Sequence, residues 1–321
     1  YQGLFGYISN ANLNSIAVET ANITGNDHVG GIVGSCENSK LKNSYVSGSI
    51  SGVNRVGGIA GTGGGSSTFI RNCYSLATVS GTGDIIGGLI GANEYETTIK
   101  SSYATGGVTG NYMVGGLLGM NGGGSKLYDS YAMGNVDGNE SVGGLVGYNG
   151  GDVYSSYSTG SVSGTTSIGG LVGENNATVS GSYWDTETSL QGTSAGGEGR
   201  LSAEMKYPYD TGTFVDWDFT NIWVEDVASD VNQGYPYLGM AVSKPVVTFN
   251  VDMSLAPDFD PVNDIVYITG SMFSWAVPGT EPENQTMQRV DESMIWTKTL
   301  ELDEGDYQYK YFINEGWSPG D

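Results

Sequence analysis

The single histidine, His28, is the one imidazole with which this chain could do acid–base or nucleophilic chemistry. It precedes Val29-Gly30-Gly31, a corner-like run where a polar surface side chain is the ordinary expectation. A Ser–His–Asp or Cys–His site would have to be assembled around it, and no nucleophile-elbow sequence accompanies it. One histidine and two scattered cysteines, Cys36 and Cys73, disfavour zinc. Gly63-Gly64-Gly65 and Gly122-Gly123-Gly124 lack the Lys-Ser/Thr that a phosphate loop requires. Paired carboxylates for attack on a polysaccharide remain an alternative that residue types alone leave open. No catalytic residue is assigned, and the chain reads as a non-enzyme.

Charge narrows the partners. The sequence carries 35 acidic and 12 basic residues, a formal charge of −23. That excludes ordinary nucleic-acid binding, which needs a basic footprint, and disfavours docking on anionic lipid. Such a charge keeps a secreted protein soluble. Its sharper reading is divalent-cation binding, Ca2+ in particular, although no compact EF-hand-type loop is present. Cys36 and Cys73 either pair or stay as two free buried thiols; two cysteines do not make a stapled scaffold. No apolar run is long enough for a membrane helix.

The elements that hold these residues follow from a repeat. Gly-(Leu/Ile)-x-Gly occurs at Gly3, Gly31, Gly58, Gly88, Gly116, Gly144 and Gly170, spaced 28, 27, 30, 28, 28 and 26 residues apart. A second beat keeps pace at Ser44-Tyr45, Cys73-Tyr74, Ser102-Tyr103, Ser130-Tyr131, Ser156-Tyr157 and Ser182-Tyr183. A third reads Ile50-Ser51-Gly52, Val79-Ser80-Gly81, Val108-Thr109-Gly110, Val136-Asp137-Gly138 and Val162-Ser163-Gly164. Three apolar beats per repeat, punctuated by Gly, Asn or Ser, predict one three-sided coil of short strands, with Gly/Asn clusters supplying positive φ at the corners. One coil cannot bury its inward side chains; stacked coils can. Leu4, Ile32, Ile59, Leu89, Leu117, Leu145 and Leu171 should then line up in one file, and the tyrosines in another. Glycine, at 53 of 321 residues, argues against helices, where each interior glycine costs about 1 kcal/mol. The hydroxyl column Thr24, Ser51, Ser80, Thr109, Asp137, Ser163 is too mixed for an ice-binding face. Tyr1 falls inside a repeat, so the sequence reads as a segment of a longer chain.

The Gly-Gly-(Leu/Ile)-(Val/Ile/Leu)-Gly beat resembles the GLUG repeat of bacterial surface proteins over residues 1–183. That resemblance implies a secreted or cell-surface, adhesin-like location and a non-catalytic stalk or adhesive role. Such repeats also occur as non-catalytic parts of IgA-peptidase-type surface proteins. Glycans or a host or neighbouring cell surface are the implied partners, with no nucleic acid and no membrane insertion. Residues 184–239 break the phase and are rich in aromatics, including Trp217, Trp223 and Tyr235, which suits a cap over the last coil. Leu201–Lys206 reads as a short helix within it.

After a linker at 240–245, residues 246–321 alternate as strands: Val247–Met253, Ile265–Gly270, Met294–Leu300 and Tyr307–Phe312. They predict an immunoglobulin-like β-sandwich, truncated at its C-terminus. The segment Val266–Ser271 leading to Trp275, then Trp296–Leu300, then Tyr309–Phe312 leading to Trp317, is similar to starch-binding-type carbohydrate modules. The resemblance implies that Trp275 and Trp317 stack on sugar rings. The competing reading is a spacer module in which both only pack. The whole is expected to be all-β: a parallel β-solenoid of about seven coils with a C-terminal cap, then the sandwich.

Overall fold

A computed structural model describes residues 1–239, 246–301 and 308–314. The chain divides into two compact units, Tyr1–Met240 and Ala241–Asp321.

In the first unit each repeat makes one turn of a parallel β-solenoid. The third coil shows the plan, with Asn54–Gly57, Ala60–Gly64, Phe69–Arg71, Tyr74–Ser75 and Thr78–Gly81 as short strands between corners. Each strand pairs in parallel with its counterpart one repeat before and after. Ile70 lies opposite Leu41 on one side and Ile99 on the other. The strands form four sheets of seven, seven, six and twelve strands. Seven stacked strands enclose six complete turns; counting repeat signatures gives seven because it counts both ends.

The coil is not the simple three-sided one expected. It carries five short strands, because Asn54–Gly57 and Phe69–Arg71 add two to the strands on which the three beats lie. Gly58-Ile59 separates Asn54–Gly57 from Ala60–Gly64, and Leu76-Ala77 separates Tyr74–Ser75 from Thr78–Gly81.

The expected file is there. Ile32, Ile59, Leu89, Leu117, Leu145 and Leu171 are all 0% exposed. Their backbones are joined in sequence; the Leu89 N–H donates to Leu117 O and the Leu117 N–H to Leu145 O, both at 2.9 Å. A buried aliphatic side chain contributes about 1.5–3 kcal/mol, so such columns dominate the solenoid's stability.

The role of glycine differs from the expectation. Positive φ at one set of corners belongs to His28, Arg55, Ile85, Met113, Ser141 and Ser167, with φ from 51° to 67°. A second set is Ser15, Asn43, Asn72, Ser101, Asp129 and Ser155. The repeat glycines are needed for space instead. A Cβ on Gly116 would lie 2.1 Å from the Gly144 carbonyl oxygen, and one on Gly144 the same distance from that of Gly170. Successive coils touch backbone to backbone there, and no side chain fits between them.

Residues 184–239 lie over the last coil. Val162 N–H donates to Ser189 O, Gly170 N–H to Thr193 O, and Ser194 Oγ accepts the N–H groups of Leu171 and Val172. These bonds satisfy strand edges that would otherwise stand open. Phe214, Trp217, Trp223 and Tyr235 pack with Tyr131, Tyr157 and Tyr183 in one buried cluster. The short helix is Ser202–Met205, and the Glu204 carboxylate reaches back to the Leu201 N–H at 2.7 Å.

In the second unit Val246–Asp252 pairs antiparallel with Ile295–Glu301, which pairs with Gln288–Arg289. Val266–Gly270 pairs antiparallel with Tyr309–Ile313. Phe249, Val266, Ile268, Met287 and Trp296 form its core. Five strands in two antiparallel sheets are seen among the described residues, short of the roughly seven of an immunoglobulin-like sandwich.

Candidate functional site

His28 sits in a left-handed corner, φ 56°, with its ring 4.7 Å from that of Tyr1. Burial lowers its pKa, and the Arg55 guanidinium lowers it further. Among the described residues no serine, threonine or cysteine is hydrogen-bonded to its ring, so the constellation needed for nucleophilic attack is not assembled there. Cys36 and Cys73 are free and fully buried, each thiol pushed up to about 12 by burial. They occupy different columns. Cys36 faces Gly63 in one ladder, and Cys73 stands where neighbouring coils have serine. A thiol so protonated is a poor nucleophile.

Two carboxylates are buried among the described residues, Asp185 and Asp226. Both are taken up by structure. Asp185 accepts from the Tyr235 hydroxyl and the Ser202 hydroxyl, each at 2.6 Å, and from the Glu187 and Thr188 N–H groups. Asp226 accepts from the N–H groups of Val231, Asn232 and Gly234. Among the described residues no three side chains of His, Cys, Asp or Glu converge to hold a metal ion.

The aromatic positions separate clearly. Trp217 and Trp223 are 7% and 1% exposed, their rings 4.4 Å apart, and the Trp217 indole N–H donates to Gly181 O at 2.9 Å. They close the solenoid and present no ring face to a ligand. Trp275 is 39% exposed, on a left-handed turn with φ 57° after the 3-10 segment Ser271–Phe273. Phe273, Ser274, Glu281, Glu283, Asn284 and Lys298 line an open hollow of about 570 Å³, and Trp275, next to Ser274 in the chain, is not part of its lining. Trp317 lies outside the described residues, so the structure does not pair it with Trp275.

The tyrosine file runs Tyr45, Tyr74, Tyr103, Tyr131, Tyr157, with successive ring centroids 4.8 to 5.0 Å apart. Burial raises the Tyr131 and Tyr157 phenols well above the ordinary value, because the charged form would be desolvated. The Tyr157 hydroxyl donates to Pro236 O and accepts from the Asn232 amide, joining the file to the cap.

One ladder escaped the sequence reading. Asn93, Asn121, Asn149 and Asn175 stack inside the coil, each amide nitrogen donating to the next amide oxygen at 2.8 Å. The signal is present as Gly-x-Asn directly following Gly-(Leu/Ile)-x: Gly91-Ala92-Asn93, Gly119-Met120-Asn121, Gly147-Tyr148-Asn149, Gly173-Glu174-Asn175. A polar residue at a fixed phase in four successive coils marks an inward hydrogen-bonded column, which the earlier coils replace by Cys36 and Gly63. A serine column runs alongside. Ser130 Oγ receives the Ser102 N–H and Ser156 Oγ the Ser130 N–H, each at 3.2 Å.

With this geometry the first unit is a β-solenoid of Gly-marked coils held by interior side-chain ladders. Residues 138–163 match the family model described as the GLUG motif, which covers the coil containing Gly144-Leu145-Val146-Gly147. A solved structure described as a "putative immunoglobulin A1 protease" from Bacteroides ovatus is 19% identical, covering 71% of this chain and 75% of that one, with a TM-score of 0.49. That likeness carries no assignment of activity. No curated protein matches.

Proposed function

We propose that this chain is a non-catalytic segment of an extracellular bacterial surface protein, in which the solenoid is a rigid spacer and the C-terminal unit a binding module. The observation that carries the reading is the solenoid interior. Aliphatic and tyrosine columns run through successive coils, joined from Asn93 to Asn175 by an asparagine column, so each turn is fixed to the next by its interior side chains. The GLUG motif at residues 138–163 supports a surface-type repeat protein. No helix among the described residues is long and apolar enough to cross a membrane. Proteinase treatment of intact cells of the source bacterium should release fragments of the chain into the medium. Recovery only from the cytosol after lysis would end this reading.

A second reading gives the C-terminal unit a neutral, starch-like glycan as ligand, with Trp275 and Trp317 as stacking faces. It is favoured by the exposure of Trp275, 39%, since an indole face desolvates well against a pyranose. A starch pull-down of the full chain should weaken about tenfold with Trp275→Ala, the size of one aromatic contact. Equal recovery of both proteins leaves the spacer reading alone.

A further inference from the structure

The solenoid holds six of the chain's cations, Lys40, Lys42, Arg55, Arg71, Lys100 and Lys126, and five of them lie on one sheet. The strands are Lys40–Lys42, Phe69–Arg71, Thr98–Lys100 and Lys126–Tyr128. In each the middle residue, Leu41, Ile70, Ile99 or Leu127, is 0–1% exposed, so its neighbours point outward. Lys42, Arg71 and Lys100 are direct register partners on three successive coils. Like charges placed opposite each other in a sheet repel. A chain with 35 carboxylates had ample means to interleave them, yet only Lys100 has an ion-pair partner, Asp129 at 3.3 Å. Among the described residues Lys40, Lys42, Arg71 and Lys126 make no ion pair. The column continues as Tyr128 and Tyr154, with rings stacked 5.2 Å apart, and Phe69 lies in the column beside it.

We infer that this face binds a linear anionic polysaccharide, carboxylated or sulfated, laid along the solenoid axis. The stacked tyrosines of the same coils set the step between coils at 4.8 to 4.9 Å, close to the length of one pyranose unit. In the column of Lys42, Arg71 and Lys100 one cation per coil meets one anionic sugar per coil, Lys40 and Lys126 stand in the column beside it, and Phe69, Tyr128 and Tyr154 offer apolar surface to the rings. Asp152, register partner of Lys126, marks the end of the basic run. A nucleic acid offers a linear polyanion too, but the overall charge of −23 repels it at long range.

The test is retention of the full chain on agarose bearing polygalacturonate or heparin, eluted with a salt gradient, with plain agarose as control. The wild type should be retained on one or both polyanions at low salt. Lys42→Glu with Arg71→Glu should bind at least about tenfold more weakly, while Lys310→Glu, a cation outside the solenoid, should not change elution. Lys42→Gln with Arg71→Gln should fall between. All three variants carry surface changes, and an unchanged melting temperature confirms the fold. Trp275→Ala should leave retention intact, so failure of the C-terminal glycan reading does not touch this one. No retention of the wild type, or retention indifferent to the double reversal, overturns the proposal. So does a double reversal whose sole effect is to turn a sedimenting dimer into a monomer, which would make the partner the acidic surface of a second copy.

Discussion

The first coil and the inner coils have the same pattern and very different burial. Leu4 and Phe5 are 57% and 39% exposed, whereas Leu145 and Val146, at the same phase, are 0% exposed. At the other end Leu171 and Val172 are also 0% exposed, because Trp184 and residues 189–200 pack against them. Position in the repeat thus sets which way a side chain points, and the layer above it sets what that side chain contributes. The cap substitutes for a coil. It supplies backbone acceptors to the last strands and bulky rings where a further aliphatic layer would sit.

The largest break in this comparison should come from the backbone. Gly144→Ala puts a Cβ 2.1 Å from the Gly170 carbonyl, a clash that cannot be relieved without separating two coils. It should cost about 3 kcal/mol or more and lower the urea midpoint strongly. Gly192→Ala in the cap meets nothing within 4 Å and should stay within about 0.5 kcal/mol of wild type. An equal response of the two variants would refute the spatial account of the repeat glycines.

Next in size is the burial contrast itself. Leu145→Ala should destabilise by about 2–5 kcal/mol, and Leu4→Ala by less than about 0.5 kcal/mol, measured by thermal melts of the same preparation. If Leu4→Ala proves as damaging as Leu145→Ala, something buries the first coil in solution.

Asn121→Ala sharpens the view of the interior. It leaves the Asn93 amide nitrogen and the Asn149 amide oxygen without their partners in a dry column, costing about 2 kcal/mol. A serine variant should recover little, since its hydroxyl is too short to bridge both neighbours.

The smallest effect at neutral pH, and one that grows with alkali, concerns the tyrosine file. Folding raises the Tyr131 and Tyr157 phenols above the ordinary value of 10.0. Above pH of about 10 the unfolded chain releases these protons while the folded chain keeps them, so stability is complete below that pH and falls as pH rises above it. Absorbance titration of phenolate should show exposed tyrosines ionising first and the buried pair only with unfolding. A single titration step for all 21 tyrosines near pH 10 would contradict the buried file.

Much of the solenoid was legible in the sequence, because a β-coil repeats its demands at each turn. The phase of Gly-(Leu/Ile)-x-Gly named the buried file from Ile32 to Leu171, and Ser-Tyr pairs named the ring stack. The site was less legible. The basic row joins Lys42, Arg71 and Lys100 across 29-residue steps, and single cations so far apart look like scatter until the register aligns them. Trp275 was identifiable only through a family resemblance, and Trp317 lies outside the described residues.

The sequence by itself determined the period, the strand-forming beats, the inward aliphatic columns and the position at which the repeat stops. Tertiary structure alone decided that the repeat glycines serve coil contact rather than left-handed corners, that the coils from Asn54 to Ser163 have five strands each, and that Tyr157 meets Asn232 across 75 residues. The physical reason is the range of the forces. Alternation and turn preference act within a few residues and repeat visibly, whereas steric exclusion, hydrogen-bond ladders and charge repulsion act between residues that stacking alone brings together.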